Sequence, residues 1–230
     1  MEIEFRDRGR VELVGKYGTD LIIANSARMS LNESNNGSNN GSNRTLTEAD
    51  VGLIKSLMKN RHGTPFEMSF MMIHVECSIA VAREWFRHRI ASYNEMSGRY
   101  TELEPVFYIP TPRSQVGKRM SYTYEDFDGY DKESVENEIM GMYNQSYDMY
   151  QVLLKQGVAK EAARYVLPVG IGTKFVTNAN LRSWLNFCSL RNDPRAMKEI
   201  RELAEDVEKL VKLNWPIVHE AFVENGRVAA

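Results

Sequence analysis

Cysteine is scarce in this chain: 230 residues carry two, Cys77 and Cys188, both among apolar neighbours and neither in a CxxC or zinc-finger spacing. That scarcity excludes a disulfide-stapled or zinc-finger scaffold and predicts two reduced core thiols in a cytoplasmic protein. A thiolate nucleophile needs a cation or histidine nearby. Arg191 lies three residues beyond Cys188, so a nucleophilic role for Cys188 stays open on sequence alone. Long apolar runs are missing too, since none approaches the roughly 20 residues that cross a bilayer. The opening MEIEFRDRGRVELV alternates charged and apolar residues and does not read as a signal peptide. Charge of one sign is not in excess: 29 Lys and Arg against 31 Asp and Glu give a net charge of −2, which argues against a general nucleic-acid or membrane-surface binder. A local basic site is still compatible with that balance. There is no GxGxxG followed by an acidic residue, no P-loop, no HExxH and no GxSxG.

What is present fits one domain spanning 1–230, with 43% apolar residues to build a core. Residues 2–6 and 11–14 read as short strands, followed by Asp20–Ala24 and a turn at Asn25-Ser26. Residues 32–43 contain Asn, Gly, Ser and one Glu alone and read as a flexible surface insertion. Thr47-x-x-Asp50 opens a helix in the manner of a capping box, with Leu53, Ile54, Leu57 and Met58 at helical spacing. His62–Glu67 reads as a turn, Met68–Cys77 as a buried strand and Ile79–Ile90 as a helix. Ser92–Tyr100 reads as a polar loop, Phe107–Ile109 as a strand and Tyr122–Tyr130 as an exposed connection. An amphipathic helix is expected over 132–156, stopped at Gly157, and a short one over Lys160–Val166. Thr173–Thr177 is expected as a strand and Leu181–Leu190 as a helix capped by Asn180. Asp193-Pro194 should launch a helix over Arg195–Leu213, and Trp215-Pro216 a last one ending at Glu224. Strands and helices mix without repeats or regular βαβ alternation. The expected class is therefore α+β, a mixed or antiparallel sheet flanked by helices.

Chemistry concentrates in RHRIASYNEMSGRY, residues 87–100. It holds three arginines, a histidine, two serines, an asparagine and one carboxylate. Such a run is often only a solvated face. Here it follows an apolar segment with Trp85 and Phe86 as core anchors. Arginine forks suit phosphate oxygens in fixed geometry, and Gly98 permits close backbone approach by a ligand. Residue chemistry alone thus points to a site for a phosphorylated ligand and does not name it.

Arg87-His88-Arg89, seven residues and then Ser97 resembles the defining motif of the flavin-dependent thymidylate synthases. The likeness extends to Ser26–Ser30, HGTPFE at 62–67, FYIP at 107–110, AARYVLP at 162–168, and Asn180 through Arg191. The resemblance implies FAD-dependent reductive methylation of dUMP to dTMP, with 5,10-methylenetetrahydrofolate as carbon donor, NADPH as reductant and no enzyme cysteine nucleophile. It also implies a homotetramer with active sites between subunits, and small-molecule partners rather than nucleic acid or membrane. No metal is implied. The dUMP site would comprise Glu84, Arg87, Glu95, Ser97, Gly98, Arg99, Arg164 and Arg191. The FAD site would comprise His62, Thr64, Glu67, Arg87, His88, Arg89, Ile90, Asn180, Arg182 and Asn186.

Within that resemblance, Arg191 would act catalytically by stabilising charge that develops on the uracil ring. Ser97 reads as a binder rather than a nucleophile, because an alcohol needs a base. His88 would meet the flavin or the folate, or else simply pack. His74 and His219 read as structural. The chain departs from the family pattern at Glu84, where Gln is usual, and at Arg195 and Met197, where the family tends to His and Gln. A carboxylate at 84 would repel a phosphate unless Arg83 or Arg87 offset it. These departures keep open a non-catalytic nucleotide-binding relative; an arginine loop used on RNA is the more distant alternative.

Overall fold

A computed structural model describes residues 2–29, 44–118, 121–127 and 129–230. The insertion expected at 32–43 and Ser30 lie outside the described residues. The first strands are β1 (Glu4–Arg6) and β2 (Arg10–Tyr17), followed by helices α1 (Asp20–Met29), α2 (Glu48–Lys59) and the short α3 (Thr64–Glu67). Next come β3 (Phe70–Ser78), α4 (Ile79–Trp85), β4 (Ser92–Glu95), β5 (Val106–Tyr108), β6 (Arg113–Lys118) and β7 (Ser121–Asp126). The chain continues with α5 (Gly129–Lys155), α6 (Lys160–Ala163), a 3-10 turn at Arg164–Val166 and β8 (Gly172–Asn180). It closes with α7 (Leu181–Arg191), α8 (Lys198–Asn214) and α9 (Pro216–Glu224). One sheet has the order β2-β3-β8-β4; β1 pairs with β5 in parallel, Glu4 opposite Val106, and β6 pairs antiparallel with β7. The class is α+β, as expected.

The chain forms two compact units: Met1–Arg10, Val75–Arg87 and Asn94–Phe175 make one, and Val11–His74, His88–Tyr93 and Val176–Ala230 the other. In the first, α5 presents Tyr143, Tyr147 and Tyr150 along one face, as positions three and four apart do on a helix. Tyr147 and Tyr150 are buried with Leu103, Phe107, Ala163 and Ile171. Their phenols are not wasted: Tyr147 Oη donates to Leu103 O at 3.1 Å, and Leu103 N donates to Tyr150 Oη at 3.2 Å. The helix ends where the sequence places its stop. Gly157 takes φ +87°, Gly157 N donates to Leu154 O and Val158 N to Leu153 O, both at 3.0 Å, a Schellman motif that a side chain at 157 would strain. Glu76 is held by Arg6 at 3.0 Å and Arg10 at 2.8 Å. Burial alone would raise its pKa, but the two guanidinium contacts prevail and lower it.

The second unit is mainly helical. The Thr47 capping box is present, with Asp50 N donating to Thr47 Oγ1 at 3.4 Å and Thr47 N to Asp50 Oδ2 at 2.8 Å. The fully buried Asp50 carboxylate also pairs with Arg28, and with Arg44 at 2.5 Å. The Arg44 contact is the main reason its pKa falls far below the usual carboxylate range. Asp20–Ala24 is helical rather than extended, and the Asn25-Ser26 turn is absorbed into α1. Ser26 Oγ donates back to Ile22 O at 2.7 Å, which lets a turn-favouring residue sit within a helix. Asp20 itself accepts from Val218 N at 3.0 Å, placing a carboxylate at the N-terminus of α9. Ile23, Ile54, Met58, Leu185, Val207, Val211 and Phe222 are buried in this unit.

Several expected boundaries move. Residues 64–67 form α3 rather than a plain turn, with Pro65 early in the helix where its missing N–H costs nothing. The helix expected to reach Ile90 ends at Trp85, and Ser92–Glu95 is a strand. Part of the connection expected at 122–130 is β7, which gains its ladder from β6. Asp193 does not cap α8, which begins at Lys198. Its carboxylate is taken by Arg195, through N at 2.8 Å and Nε at 2.9 Å.

Candidate active site

The arginine loop is divided between the two units. Arg87 ends a segment of the first, His88–Tyr93 belong to the second, and Asn94 returns to the first. In the first unit a pocket of about 330 Å³ opens beside α4. Ile79, Ala82, Arg83 and Phe86 line it at the spacing of one helix face, so Arg83 borders the pocket and the family departure Glu84 falls outside that lining. Phe86 is set by edge-on contact with Phe175, ring centroids 5.1 Å apart, and Trp85 by a similar contact at 5.6 Å. The expected core role of Trp85 agrees with its burial.

Opposite α4 the pocket takes Glu95, Met96 and Gly98, with Arg164 and Thr173. Thr173 Oγ1 donates to Glu95 Oε1 at 2.6 Å, and Met96 N donates to Lys174 O at 2.9 Å, fixing this stretch to β8. Gly98 is buried and tightly bordered. A Cβ there would come within 3.3 Å of Leu103 Cδ2 and 3.4 Å of Arg164 Cδ. Ser97 and Arg99 lie on the adjoining turn, where Tyr100 N donates to Ser97 O at 3.2 Å and Arg99 N to Ser97 Oγ at 3.3 Å. Arg99 Nε pairs with Glu161 at 2.9 Å, and both side chains are more than half exposed, a pair that competing anions displace at little cost. The nearest carboxylate in sequence, Glu95, is engaged by Thr173, so no base is placed on the Ser97 hydroxyl by this contact.

The second unit holds the rest. Asn180 caps α7, its Oδ1 accepting from Ser183 N at 2.8 Å, which leaves the amide NH₂ as a donor. Arg182 Nη1 pairs with Glu67 at 2.7 Å and Arg182 Nε donates to Ala230 O at 2.7 Å. The same guanidinium lies where a Cβ on Gly63 would project, which explains glycine within HGTPFE. His62, Thr64, Arg89, Ile90 and Asn186 are exposed. Arg191, at the end of α7, donates from Nε to His88 Nε2 at 2.9 Å. His88 is further seated by Phe187, edge-on at 4.8 Å, and its carbonyl accepts from Tyr93 Oη at 2.5 Å. A second pocket of about 690 Å³ borders Arg191, Asn192, Asp193, Arg195 and Arg227. Behind it Glu208 accepts from Asn192 Nδ2 at 2.7 Å, pairs with Arg227 and meets His219 Nε2 at 3.0 Å. His219 thus packs in a structural cluster, as expected.

Both cysteines are free and buried, and burial pushes each thiol well above its ordinary range. Among the described residues no group of His, Cys, Asp and Glu has a metal-holding arrangement, and no helix is long and apolar enough to cross a membrane. Sequence reasoning named Arg83 only as a charge offsetting Glu84, not as a pocket residue, and missed Thr173 and the His88–Arg191 bond. Arg83 was legible in principle, one helical turn before Arg87. The bond joins residues 103 positions apart and has no local signature.

An α+β chain with an arginine-lined pocket beside an RHR-to-Ser loop presents a candidate anion site, and the family follows from comparison. The family described as thymidylate synthase complementing protein matches residues 12–217, and the chain belongs to it, a family of methyltransferase enzymes. Among its relatives, a flavin-dependent thymidylate synthase of Thermotoga neapolitana is 39% identical over 97% of this chain and 95% of its own length. Another of that name, from Thermus thermophilus, is 38% identical over 98% of this chain and 79% of its own. A solved structure of the UMP/dUMP methylase PolB from Streptomyces cacaoi, bound with 5-Br dUMP, superposes with a TM-score of 0.88. It is 34% identical and is matched over 99% of this chain and 100% of that one.

Proposed function

We propose that this chain binds FAD and converts dUMP to dTMP by reductive methylation, with 5,10-methylenetetrahydrofolate as carbon donor and NADPH as reductant. The observation that carries the reading is the 330 Å³ pocket, which brings Glu95 and Gly98 of the arginine loop together with the distant Arg164 in a chain similar to a dUMP methylase. Arg164, with Arg87 and Arg99, supplies guanidinium forks for the nucleotide phosphate. Glu95 accepts from a donor on the nucleotide, while Ser97 and the Gly98 backbone close around it. Glu84 contributes at the edge of this set, and Arg83 and Arg87 offset its charge.

The other set fits a flavin dinucleotide. His62, Thr64, Arg89, Arg182, the Asn180 amide and Asn186 are donors suited to a diphosphate and to ring carbonyls. Asn178 Oδ1 is buried without a hydrogen-bond partner among the described residues. It lies two residues before Asn180, on the same face of β8, where a ligand's N–H would satisfy it. Glu67 keeps Arg182 aligned, and Arg87, His88 and Ile90 complete the set. The chemistry FAD supplies when bound is hydride transfer. Arg191 stabilises negative charge on the uracil as its C5 gains nucleophilic character, and His88 holds Arg191 in place through Nε2. With both thiols buried and protonated, the reading assigns no role to a cysteine nucleophile.

The assembly proposed is a cytoplasmic homotetramer, a single-domain subunit repeated, with sites shared between subunits. A shared site requires each subunit to present more than one ligand face; most of the nucleotide set lies in the first unit and most of the flavin set in the second, with Arg191 and Arg87 the exceptions. The test is direct: purified protein should carry a flavin spectrum and form dTMP from dUMP, methylenetetrahydrofolate and NADPH. Protein that stays colourless and inactive after FAD reconstitution overturns the proposal.

A further inference from the structure

We propose that Thr173 is a positioning residue for substrate binding, its hydroxyl aiming the Glu95 carboxylate into the nucleotide pocket. The inference rests on the dUMP reading above and adds a residue to it. Thr173 is 4% exposed, on the inward face of β8 that it shares with the buried Phe175 and Thr177. Its Oγ1 donates to Glu95 Oε1 at 2.6 Å, the length of a charge-assisted O–H···O⁻ bond. Thr173 is the hydrogen-bond partner of the Glu95 side chain among the described residues, so the second carboxylate oxygen remains available to a ligand.

The chemistry of the pocket gives that oxygen one use. An ionised carboxylate only accepts, whereas the guanidinium groups of Arg83 and Arg164 in the same pocket only donate. A nucleotide phosphate and the uracil carbonyls must therefore face the arginines, and Glu95 must receive an N–H or O–H of the same molecule. Glu95 stands exposed at the end of a four-residue strand, where a glutamate side chain has several rotamers. Thr173 removes that freedom before the ligand arrives, and preorganisation of this kind appears as affinity. Its short, β-branched side chain is itself fixed by burial, so it transmits the strand's rigidity to a flexible acid.

The experiment compares T173V, T173A and T173S with the parent enzyme, reading dUMP affinity by calorimetry, KM and kcat, thermal midpoint and flavin content. T173V and T173A should each weaken dUMP binding about tenfold, as expected when a bond to a charged group is lost. Their kcat at saturating dUMP, flavin content and thermal midpoint should be nearly unchanged, and T173S should bind dUMP like the parent. In an E95A background T173V should have no further effect, because the group it aims is gone. Parent-like dUMP affinity in both T173V and T173A overturns the proposal, as does an equal loss with or without Glu95. A parent enzyme that binds no dUMP overturns the underlying reading and the proposal with it, an outcome visible before any variant is measured.

Discussion

The two units carry similar anchors but different candidate ligand faces. Each buries a carboxylate between two arginines: Glu76 with Arg6 and Arg10 in one, Asp50 with Arg28 and Arg44 in the other. Their candidate site residues diverge. The first unit lines a pocket with Glu95 and two arginines, while the second lays donors along α3, the end of β8 and α7. Neighbours in sequence, Arg87 and His88, fall on opposite sides of this division. A motif that reads as one cluster along the chain thus contributes residues to both units, and on the proposed reading to both ligand sets.

Four perturbations test that contrast, beginning with the largest. Asp50→Ala should cost the second unit's scaffold about 3–5 kcal/mol, since it leaves two arginines without their buried partner. Thermal melting and hydrogen exchange in α1 and α2 check it. The pH dependence follows from the lowered Asp50 pKa: the stabilisation is present above the unfolded carboxylate value of about 4 and drains away as pH falls below it. Thr47 and the cap geometry should otherwise persist in Asp50→Asn, which separates charge from shape.

Next, Arg191→Ala should lower kcat by about 10²–10³-fold, the cost of removing a transition-state cation or donor. Retained growth of a thymidine-requiring bacterium carrying only this variant would refute the activating role. Co-expression of Arg191→Ala with Glu95→Ala should yield active mixed oligomers, because each subunit supplies the half-site the other lacks. Absence of recovery in confirmed mixed oligomers would sink the shared-site arrangement.

The third test dissociates the two faces. Arg164→Ala should raise the dUMP KM about tenfold and keep its flavin, whereas Arg182→Ala should lose flavin and still bind dUMP. Absorbance per subunit and dUMP calorimetry read the two properties independently. Smallest is Gly63→Ala. Its backbone, at φ −74°, accepts alanine, so the thermal midpoint should hold; the new methyl must displace the Arg182 guanidinium, and flavin retention should fall a few-fold.

Much of this was readable from local chemistry. The Thr47 box, the Gly157 stop and the Asn180 cap obey rules that involve only a few consecutive residues. The α4 end was misplaced because nothing between Phe86 and Ile90 forbids a helix; the chain turns there under tertiary packing of Trp85 and Phe86 on Phe175. The Ser92–Glu95 strand was missed for a related reason, since polar residues become a strand only when β8 offers a ladder. Of the candidate site, the RHR-to-Ser loop was legible as a motif, and the arginines by their type. Thr173 and the His88–Arg191 contact were not, because they depend on which distant strand or helix end the fold brings alongside.

The concealed thiols have a practical consequence for measurement. With Cys77 and Cys188 both buried and held protonated, maleimide chemistry at neutral pH finds no native target in the folded enzyme. A cysteine introduced at Met142, 61% exposed on α5, or at Leu213, 77% exposed on α8, would be labelled selectively without first editing the background. One fluorophore on each would turn the separation of the two units into an optical distance, followed as dUMP and flavin are added in turn.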